Sequence, residues 1–359
     1  MRICINPHRD PSMDYYPAIV EPLALHRLLP DYFPTSLIDA PELALKLGVR
    51  RVSIKDEASR LGLPSFKILG ASYAVYRALA AKLGVDYIWH SFDTWRAALE
   101  PLRPCRLTTA TDGNHGRAVA YIARILDLQA RIYVPQGTAQ ARIAAIAAEG
   151  AEVIQFAGSY DEAVAQAAQD ASERCLVIAD TAIDARDPVP AWVIDGYSTM
   201  FHEIESELAQ RNIQQPDVVV IQMGVGALAS ACVRHYRQEG RIPKPYILGA
   251  EPMLAACVLE SLIAGRMVSL AGVQTSIMAG LNCGTPSPFA WPIISTGLDM
   301  CVAVEDHWAM EAMRALASSG VVAGESGAAG LAAALALVEQ ASLDSLGIVS
   351  PFTPTSHVL

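Results

Sequence analysis

The chain has 359 residues, 52% of them hydrophobic, and 37 acidic against 27 basic side chains give a net charge of −10. This length permits a large core and two domains, and the acidic balance argues against a nucleic-acid partner or an anionic membrane surface. No uncharged apolar run approaches the roughly 20 residues of a membrane helix, and no signal peptide is visible, so we expect a cytoplasmic protein.

Strand-like and helix-like segments alternate along the chain. In order, the pattern predicts strand 52–55, helix 68–83, strand 106–109, helix 117–126, strand 130–134, a helix to 149 capped by Thr138 and ended by Gly150, strand 153–154, helix 160–172, strand 175–178, strand 217–222, helix 228–238, strand 246–250, a buried helix at 328–338 and strand 346–349. Such alternation predicts parallel strands with helices packed on both faces.

The cysteines are seven in number and scattered along the chain. None forms a C-x-x-C pair or a Cys/His spacing that suits zinc, so the sequence predicts no metal site. An odd number without regular spacing is typical of reduced thiols, which agrees with a cytoplasmic protein.

Lys67 lies between Phe66 and Ile68, where the first long helix is predicted to begin. Apolar surroundings lower the pKa of a lysine, because the charged form loses its hydration, and a neutral amine can attack an aldehyde. Lys67 is therefore a candidate Schiff-base lysine. Taken alone, the pattern is more typical of a lysine whose stem lies along the edge of a helix.

Two glycine segments have the form of anion sites. Residues 113–116 (GNHG) begin a helix, where free backbone N–H groups suit a carboxylate. The second segment follows strand 217–222 and precedes a helix, an arrangement that suits a phosphate; it consists of Gly224, Val225, Gly226 and Ala227. By itself this G-x-G is equally well explained by tight packing of a turn. An amine, a phosphate site and a carboxylate site together are what a pyridoxal-phosphate enzyme of amino acids needs.

Several sequence words, taken together, resemble the diaminopropionate ammonia-lyase family of fold type II (tryptophan synthase β-like) pyridoxal-phosphate enzymes. In the family's order they are SIKDE at 53–57, FKILG at 66–70, TDGNHGR at 111–117, DTA at 180–182, PAWVIDGY at 190–197, GVGA at 224–227, IMAGLNCG at 277–284 and GESG at 324–327. The resemblance implies an α/β fold of two parallel-sheet domains with the cofactor, pyridoxal 5'-phosphate, in the cleft. Residues 1–57 plus 183–359 would form the large cofactor-binding domain, and 58–182 a small mobile domain that closes over the substrate.

The resemblance also implies how the cofactor is held. Lys67 would carry it as a Schiff base, with Phe66 packed near the pyridine ring. Asn114 would hydrogen-bond the phenolic oxygen, and residues 224–227 would bind the phosphate. The ring nitrogen would face a residue that follows the last strand; we choose Ser350 for it, with Thr353 as the second choice.

Two aspartates in the family's words would act as bases at Cα, on opposite sides of the substrate. Asp112 precedes the glycine segment at 113–116, and Asp180 opens the DTA word. Because both are present, acceptance of both the D and the L enantiomer is our hypothesis. Without the resemblance, Asp112 is better explained as a helix N-cap, and a turn-capping role explains Asp180 equally well.

The implied reaction is α,β-elimination of ammonia from 2,3-diaminopropionate, which gives pyruvate and a second ammonia after hydrolysis. The chain would then be a carbon–nitrogen lyase and, by the resemblance, a homodimer. The segment 350–356 departs from the family's acidic ending, which keeps open a related β-eliminase, dehydratase or β-replacement enzyme. Such an enzyme would act on another small β-substituted amino acid in a specialised biosynthetic pathway. A non-catalytic cofactor-binding protein is the third possibility.

The remaining aromatic side chains in the family's words are interpreted structurally. Tyr73, Trp192 and Tyr197 are predicted to be core residues. His115 is predicted to support the loop at 113–116 rather than act as a base. The stretch 86–104 has no counterpart in the family's words and is interpreted as a surface excursion.

Overall fold

The computed structural model describes residues 1–15, 19–86, 89–111, 113–158, 160–181, 186–339 and 348–359. The chain divides into two compact units. The first unit comprises Met1–Ala18, Thr35–Ala58 and Phe201–Leu359, and the second comprises Ile19–Pro34 and Ser59–Met200. Compared with the predicted division, segments 19–34 and 183–200 belong to the second unit.

The described strands are β1 (Arg2–Ile5), β2 (Leu37–Asp39), β3 (Arg51–Lys55), β4 (Arg106–Ala110), β5 (Gln129–Pro135), β6 (Glu152–Phe156), β7 (Cys175–Val177), β8 (Val218–Gln222), β9 (Tyr246–Pro252), β10 (Met300–Val304) and β11 (His357–Val358). The described α-helices are α1 (Glu21–His26), α2 (Pro41–Leu47), α3 (Lys67–Leu83), α4 (Phe92–Ala98), α5 (Asn114–Ile125), α6 (Gln140–Ala147), α7 (Tyr160–Gln169), α8 (Val189–Gly196), α9 (Ser198–Gln210), α10 (Ala227–Tyr236), α11 (Cys257–Ala264), α12 (Trp291–Gly297), α13 (Asp306–Ser318) and α14 (Glu325–Glu339). Short 3-10 helices cover Glu100–Leu102, Met253–Ala255 and Ala279–Leu281.

The first unit is built on a seven-stranded sheet in the order β1-β10-β9-β8-β11-β3-β2. The inner strands run parallel, and only the edge strands β1 and β2 are antiparallel to their neighbours. The alanine-rich helix α14 packs across β8, β9 and β10, so the apolar segment predicted at 328–338 is a buried helix. Along the described ranges, no helix is both long and apolar enough to cross a bilayer.

The second unit is built on a four-stranded parallel sheet in the order β6-β5-β4-β7. Helices α5 and α7 pack against its strands, and α3 packs against α5 and α8. Because β4 and β7 are parallel neighbours, the segments that follow them emerge at the same edge of the sheet. That edge carries the chain toward Asn114 after β4 and toward Asp180 after β7.

The stretch 86–104 is not a mere surface excursion. It contains α4, and the Trp95 side chain on that helix is fully buried. The Trp95 ring stacks on Trp89 and meets Tyr76 of α3 edge-on, with ring centroids 6.0 and 5.8 Å apart. Three large rings bury enough apolar area to anchor this segment on α3.

Most predicted elements lie where the pattern places them, with ends shifted by a few residues. Two details are wrong. Thr138 does not cap α6, since its hydroxyl donates to Pro135 O at 2.8 Å and the N-cap position is Ala139. Of the strand predicted at 346–349, residues 346 and 347 lie outside the described residues, and Ile348 and Val349 are not in a strand. The last strand is β11, which lies between β3 and β8.

Candidate active site

Lys67 is the first residue of α3, directly after the N-cap residue Phe66. Its Nζ lies 5.8 Å from the centroid of the Phe66 ring, and its side chain is 24% exposed. The next two residues of the helix, Ile68 and Leu69, are fully buried and fix this end of α3 in the core. The stem of the lysine is therefore surrounded by apolar side chains, as its sequence neighbours predict.

Asp180 is the charged partner of this amine. Lys67 Nζ donates to Asp180 Oδ2 at 3.1 Å, and the Asp180 side chain is only 13% exposed. A carboxylate at this distance favours the ammonium form of the lysine, which opposes the effect of burial. The second unit thus brings two of the predicted catalytic residues, Lys67 and Asp180, into direct contact.

The loop before α5 lies at the same sheet edge. The N–H of Gly113 donates to Thr111 Oγ1 at 3.0 Å, and His115 Nε2 donates to Ile178 O at 2.8 Å, tying the loop to the segment that leads to Asp180. This bond gives buried His115 the structural role predicted for it. The Asn114 side chain is exposed at the first turn of α5, where it is open to a ligand. The predicted base Asp112 lies outside the described residues.

A close contact between α3 and α8 brings Tyr197 to Lys67. A Cβ on Gly70 would lie 2.6 Å from Cε1 of Tyr197, and one on Gly196 would lie 2.4 Å from Leu69 O. The Tyr197 ring meets Phe66 edge-on with centroids 5.0 Å apart. Burial raises the pKa of the Tyr197 hydroxyl to about 12, with Lys67 opposing the rise and Asp180 adding to it. The sequence reading missed this placement, although the two glycines are a signal of close helix packing.

The glycine turn of the first unit joins β8 to α10. Gly226 is the N-cap residue of α10, with φ +93°, and no side chain caps the helix. A Cβ on Gly226 would lie 2.8 Å from Ile294 Cδ1, and one on Gly224 would lie 2.9 Å from Cys283 Sγ. Ser287 N donates to Val225 O at 2.9 Å and fixes the turn. The first N–H groups of a helix lack intrahelical acceptors, so this glycine-rich turn fits a phosphate.

Ser350, the chosen partner of the ring nitrogen, belongs to a short local turn. Phe352 N donates to Ser350 Oγ at 3.2 Å, which orients the hydroxyl. Thr353, the second choice, is exposed, and its Oγ1 lies 2.8 Å from Ser356 Oγ. The hydroxyl itself donates to Phe352 O at 3.5 Å, a long bond within the same turn.

One cluster in the first unit contains metal-ligating side chains. Ligand atoms of His202, Glu205 and His235 all lie within 4.8 Å of one another. Arg241 forms an ion pair with the same Glu205 oxygen that faces His235 Nε2. The guanidinium already offsets the carboxylate charge, and we assign no metal to this cluster.

Comparison with known proteins gives a consistent result. Residues 28–353 match the family model described as "Pyridoxal-phosphate dependent enzyme". A diaminopropionate ammonia-lyase of Salmonella typhimurium is 35% identical over 354 residues, which cover 94% of this chain and 87% of the relative.

Two solved structures of the Escherichia coli diaminopropionate ammonia-lyase are similar to this chain. The complex with D-serine has a TM-score of 0.89 at 29% identity, and the complex with an aminoacrylate-PLP azomethine reaction intermediate has a TM-score of 0.87 at 30% identity. Each match covers 99% of this chain and 92% of the other.

Proposed function

Because this chain belongs to the diaminopropionate ammonia-lyase family of pyridoxal-phosphate-dependent enzymes, we propose that it converts 2,3-diaminopropionate to pyruvate and ammonia by α,β-elimination. The predicted family, the α/β fold of type II and the cofactor, pyridoxal 5'-phosphate, are confirmed by these relatives. The chain is accordingly a carbon–nitrogen lyase.

The observation that carries the proposal is the 3.1 Å contact between Lys67 Nζ and Asp180 Oδ2. Elimination needs an amine to hold the cofactor and a base to take the Cα proton, and this pair supplies both. The cofactor, when bound, supplies the conjugated system that stabilises negative charge at Cα. A free carboxylate is needed at the start of the reaction, and the neighbouring ammonium favours that form of Asp180.

The other predicted residues bind and orient. The backbone N–H groups of Gly224 to Ala227 would hold the phosphate at the start of α10, and Phe66 would line the ring. Asn114, in the first turn of α5, would hydrogen-bond the phenolic oxygen. The Ser350 hydroxyl would donate a hydrogen bond to the ring nitrogen without protonating it, which suits elimination more than transamination. In this proposal Asp112 is the second base, for the other face of the substrate.

A substrate panel tests the proposal. Pyruvate, or the corresponding keto acid, is measured for D- and L-2,3-diaminopropionate, serine, threonine and other β-substituted amino acids. We expect the highest kcat/KM with diaminopropionate and no product with the Lys67→Ala variant. A preference for serine, threonine or another β-substituent would favour the related eliminase or dehydratase. If the protein binds the cofactor but turns over no substrate of the panel, the remaining hypothesis is a non-catalytic cofactor-binding protein.

We also propose that the enzyme works in the cytoplasm as a homodimer. No disulfide forms among the described residues and six of the seven cysteines are buried, which suits a reducing compartment. Large apolar side chains such as Val273, Val322 and Ile242 are at least 80% exposed on the isolated chain, as expected for a surface that meets another copy. Light scattering after size-exclusion chromatography tests the dimer; a monomer mass at micromolar concentration would contradict it.

A further inference from the structure

The Tyr197 hydroxyl is a polar group that the proposed reaction does not yet use. Tyr197 is fully buried, and its Oη has no hydrogen-bond partner among the described residues. Leaving a buried hydroxyl unpaired is costly and rare, so this group calls for an explanation. The question is which neighbour supplies that partner.

The Tyr197 ring is closely packed. The surface of α3 at Gly70 meets the ring, since a Cβ built on Gly70 would lie 2.6 Å from Tyr197 Cε1. Phe66 closes another side with its edge-to-face contact. In contrast, the Lys67 side chain is partly exposed and flexible. Any new hydrogen bond must therefore form by movement of the lysine.

Two charged groups act on this hydroxyl. Burial has the largest effect and raises its pKa. The Lys67 ammonium lowers the pKa by its charge and as a donor that lies close to the hydroxyl, and the Asp180 carboxylate raises it. The other titratable groups nearby have different partners. His26 of α1 contacts Thr199 Oγ1 and Leu69 O, His115 of α5 donates to Ile178 O, and Asp195 of α8 acts on Tyr73.

We propose that Tyr197 is a positioning residue for Lys67: a movement of the lysine side chain lets its amine donate to the Tyr197 hydroxyl while the amine is not joined to the cofactor. An ammonium has three N–H donors, so a bond to Tyr197 is compatible with the bond to Asp180. The tyrosine thereby keeps the released amine beside the carboxylate and ready to recapture the cofactor. The inference rests on the proposed function only in that Lys67 binds the cofactor.

The test compares two phenylalanine variants. Tyr197→Phe removes the hydroxyl, and Tyr236→Phe is the matched control, because Tyr236 also has a fully buried hydroxyl without a hydrogen-bond partner but lies on α10 of the first unit. Full-length protein is stripped of cofactor and mixed with pyridoxal phosphate across a range of pH. The rate of visible absorbance change reports attack by the neutral Lys67 amine, and titration of pyridoxal phosphate itself is common to all variants.

Loss of an acceptor for the ammonium makes Lys67 deprotonate more readily. We expect the pH midpoint of the loading rate to fall by about one unit in Tyr197→Phe, the size of one hydrogen bond to a charged group, and to stay unchanged in Tyr236→Phe. An unchanged midpoint in Tyr197→Phe, or equal shifts in both variants, would overturn the proposal. The proposal would also be overturned if Tyr197→Phe does not fold or has a melting temperature well below that of Tyr236→Phe, since either result would show a structural role.

The result of this test is independent of whether the proposed function is correct. Loading involves no amino-acid substrate, so the midpoint shift can appear whichever β-substituted amino acid the enzyme eliminates. Conversely, a diaminopropionate lyase whose loading midpoint is unaffected by Tyr197→Phe would retain its function and refute the role of the tyrosine.

Discussion

At the scale of residues, Lys67 has a mixed environment that neither neighbour alone would create. The Phe66 ring and the buried start of α3 favour a neutral amine, whereas Asp180 at 3.1 Å favours the ammonium. The carboxylate consequently has two tasks in the proposed reaction. It stabilises the protonated lysine while the amine is not joined to the cofactor, and it would act as a base once substrate has displaced the lysine.

The two aspartates are predicted to divide the enantiomers between them. Asp112→Asn and Asp180→Asn should each lose at least ~100-fold in kcat on one enantiomer of diaminopropionate, the contribution of a general base, and much less on the other. Pyruvate formation from the D and L substrates measures this. Asp170→Asn, which alters a carboxylate that accepts from Tyr133, is the control in the same unit.

Asp180→Asn also removes the ion-pair partner of Lys67, so cofactor content must be measured by absorbance for each variant. Equal losses on both enantiomers in both variants, at full cofactor content, would refute the division. If the loss of activity in each variant instead parallels its loss of cofactor and is the same for both enantiomers, the only role left for Asp180 would be to hold Lys67.

Local patterns identified Lys67 but not Tyr197, for a physical reason. A lysine among apolar neighbours at a helix start is visible within a few residues. The function of Tyr197 depends on a contact between α3 and α8, which are distant in sequence, and only Gly70 and Gly196 indicate that contact locally. The contact between Asp180 and Lys67 could not be predicted from local sequence either, because it depends on β7 lying beside β4.

At the scale of elements, Gly226 in the turn between β8 and α10 should tolerate no side chain. Gly226→Ala places a Cβ at φ +93° and 2.8 Å from Ile294 Cδ1, so we expect a loss of about 2–4 kcal/mol in unfolding free energy. Pyridoxal phosphate affinity should fall at least about tenfold, since the N–H groups at the start of α10 shift. Chemical denaturation and titration with the cofactor measure the two effects.

The control for this turn is Gly240→Ala, which has a similar left-handed φ of +74° but nothing within 4 Å of the added Cβ. It should cost about 1–2 kcal/mol for backbone strain alone and leave cofactor affinity unchanged. If both variants bind pyridoxal phosphate as tightly as the wild type, the turn is not the phosphate site.

The junction of β9 and α11 contains a buried carboxylate that should make stability depend on pH. Burial raises the pKa of Glu251 to about 7, although N–H groups of Val258 and Leu259 donate to it at 2.9 and 2.8 Å. The unfolded chain releases this proton near the ordinary pKa of 4.5, whereas the folded protein retains it. Stability from Glu251 is therefore present below pH 4.5 and lost as pH rises to about 7.

Glu251→Gln should remove this part of the pH dependence, because the amide does not titrate. Urea unfolding at several pH values between 4.5 and 7 measures the slope. Glu260→Gln, a partly exposed carboxylate of α11 that pairs with Arg2, should keep the wild-type slope. The same fall with pH in Glu251→Gln and in the wild type would show that another group titrates.

Element prediction succeeded where burial is periodic and failed where long-range pairing decides. Strands β5, β8 and β9 contain runs of apolar residues, the pattern expected of strands that are buried on both faces. The two-residue strand β11 has a histidine and a valine and forms only because β3 and β8 flank it. Ile348 and Val349 look more strand-like in sequence, yet Val349 is 85% exposed.

At the scale of the whole molecule, alternation of strands and helices was sufficient to predict parallel sheets. The assignment of segments to units was harder, because α8 follows the second sheet in sequence and joins its unit through packing on α3. From the family words come the predictions of a phosphate turn at Gly224 to Ala227, a Schiff-base lysine at Lys67 and a base at Asp180, and these roles stay predictions. Their chemistry is specific enough to name a class of reaction, and the substrate is the part that requires measurement.

The most direct test of the central claim is the ratio of ammonia to pyruvate formed from 2,3-diaminopropionate. Elimination of the β-amino group followed by hydrolysis releases both nitrogen atoms, so the account predicts two ammonia molecules for each pyruvate, with none from the Lys67→Ala variant. Failure of the cofactor-loaded enzyme to form pyruvate from diaminopropionate, while serine or threonine yields its keto acid with one ammonia, would contradict it.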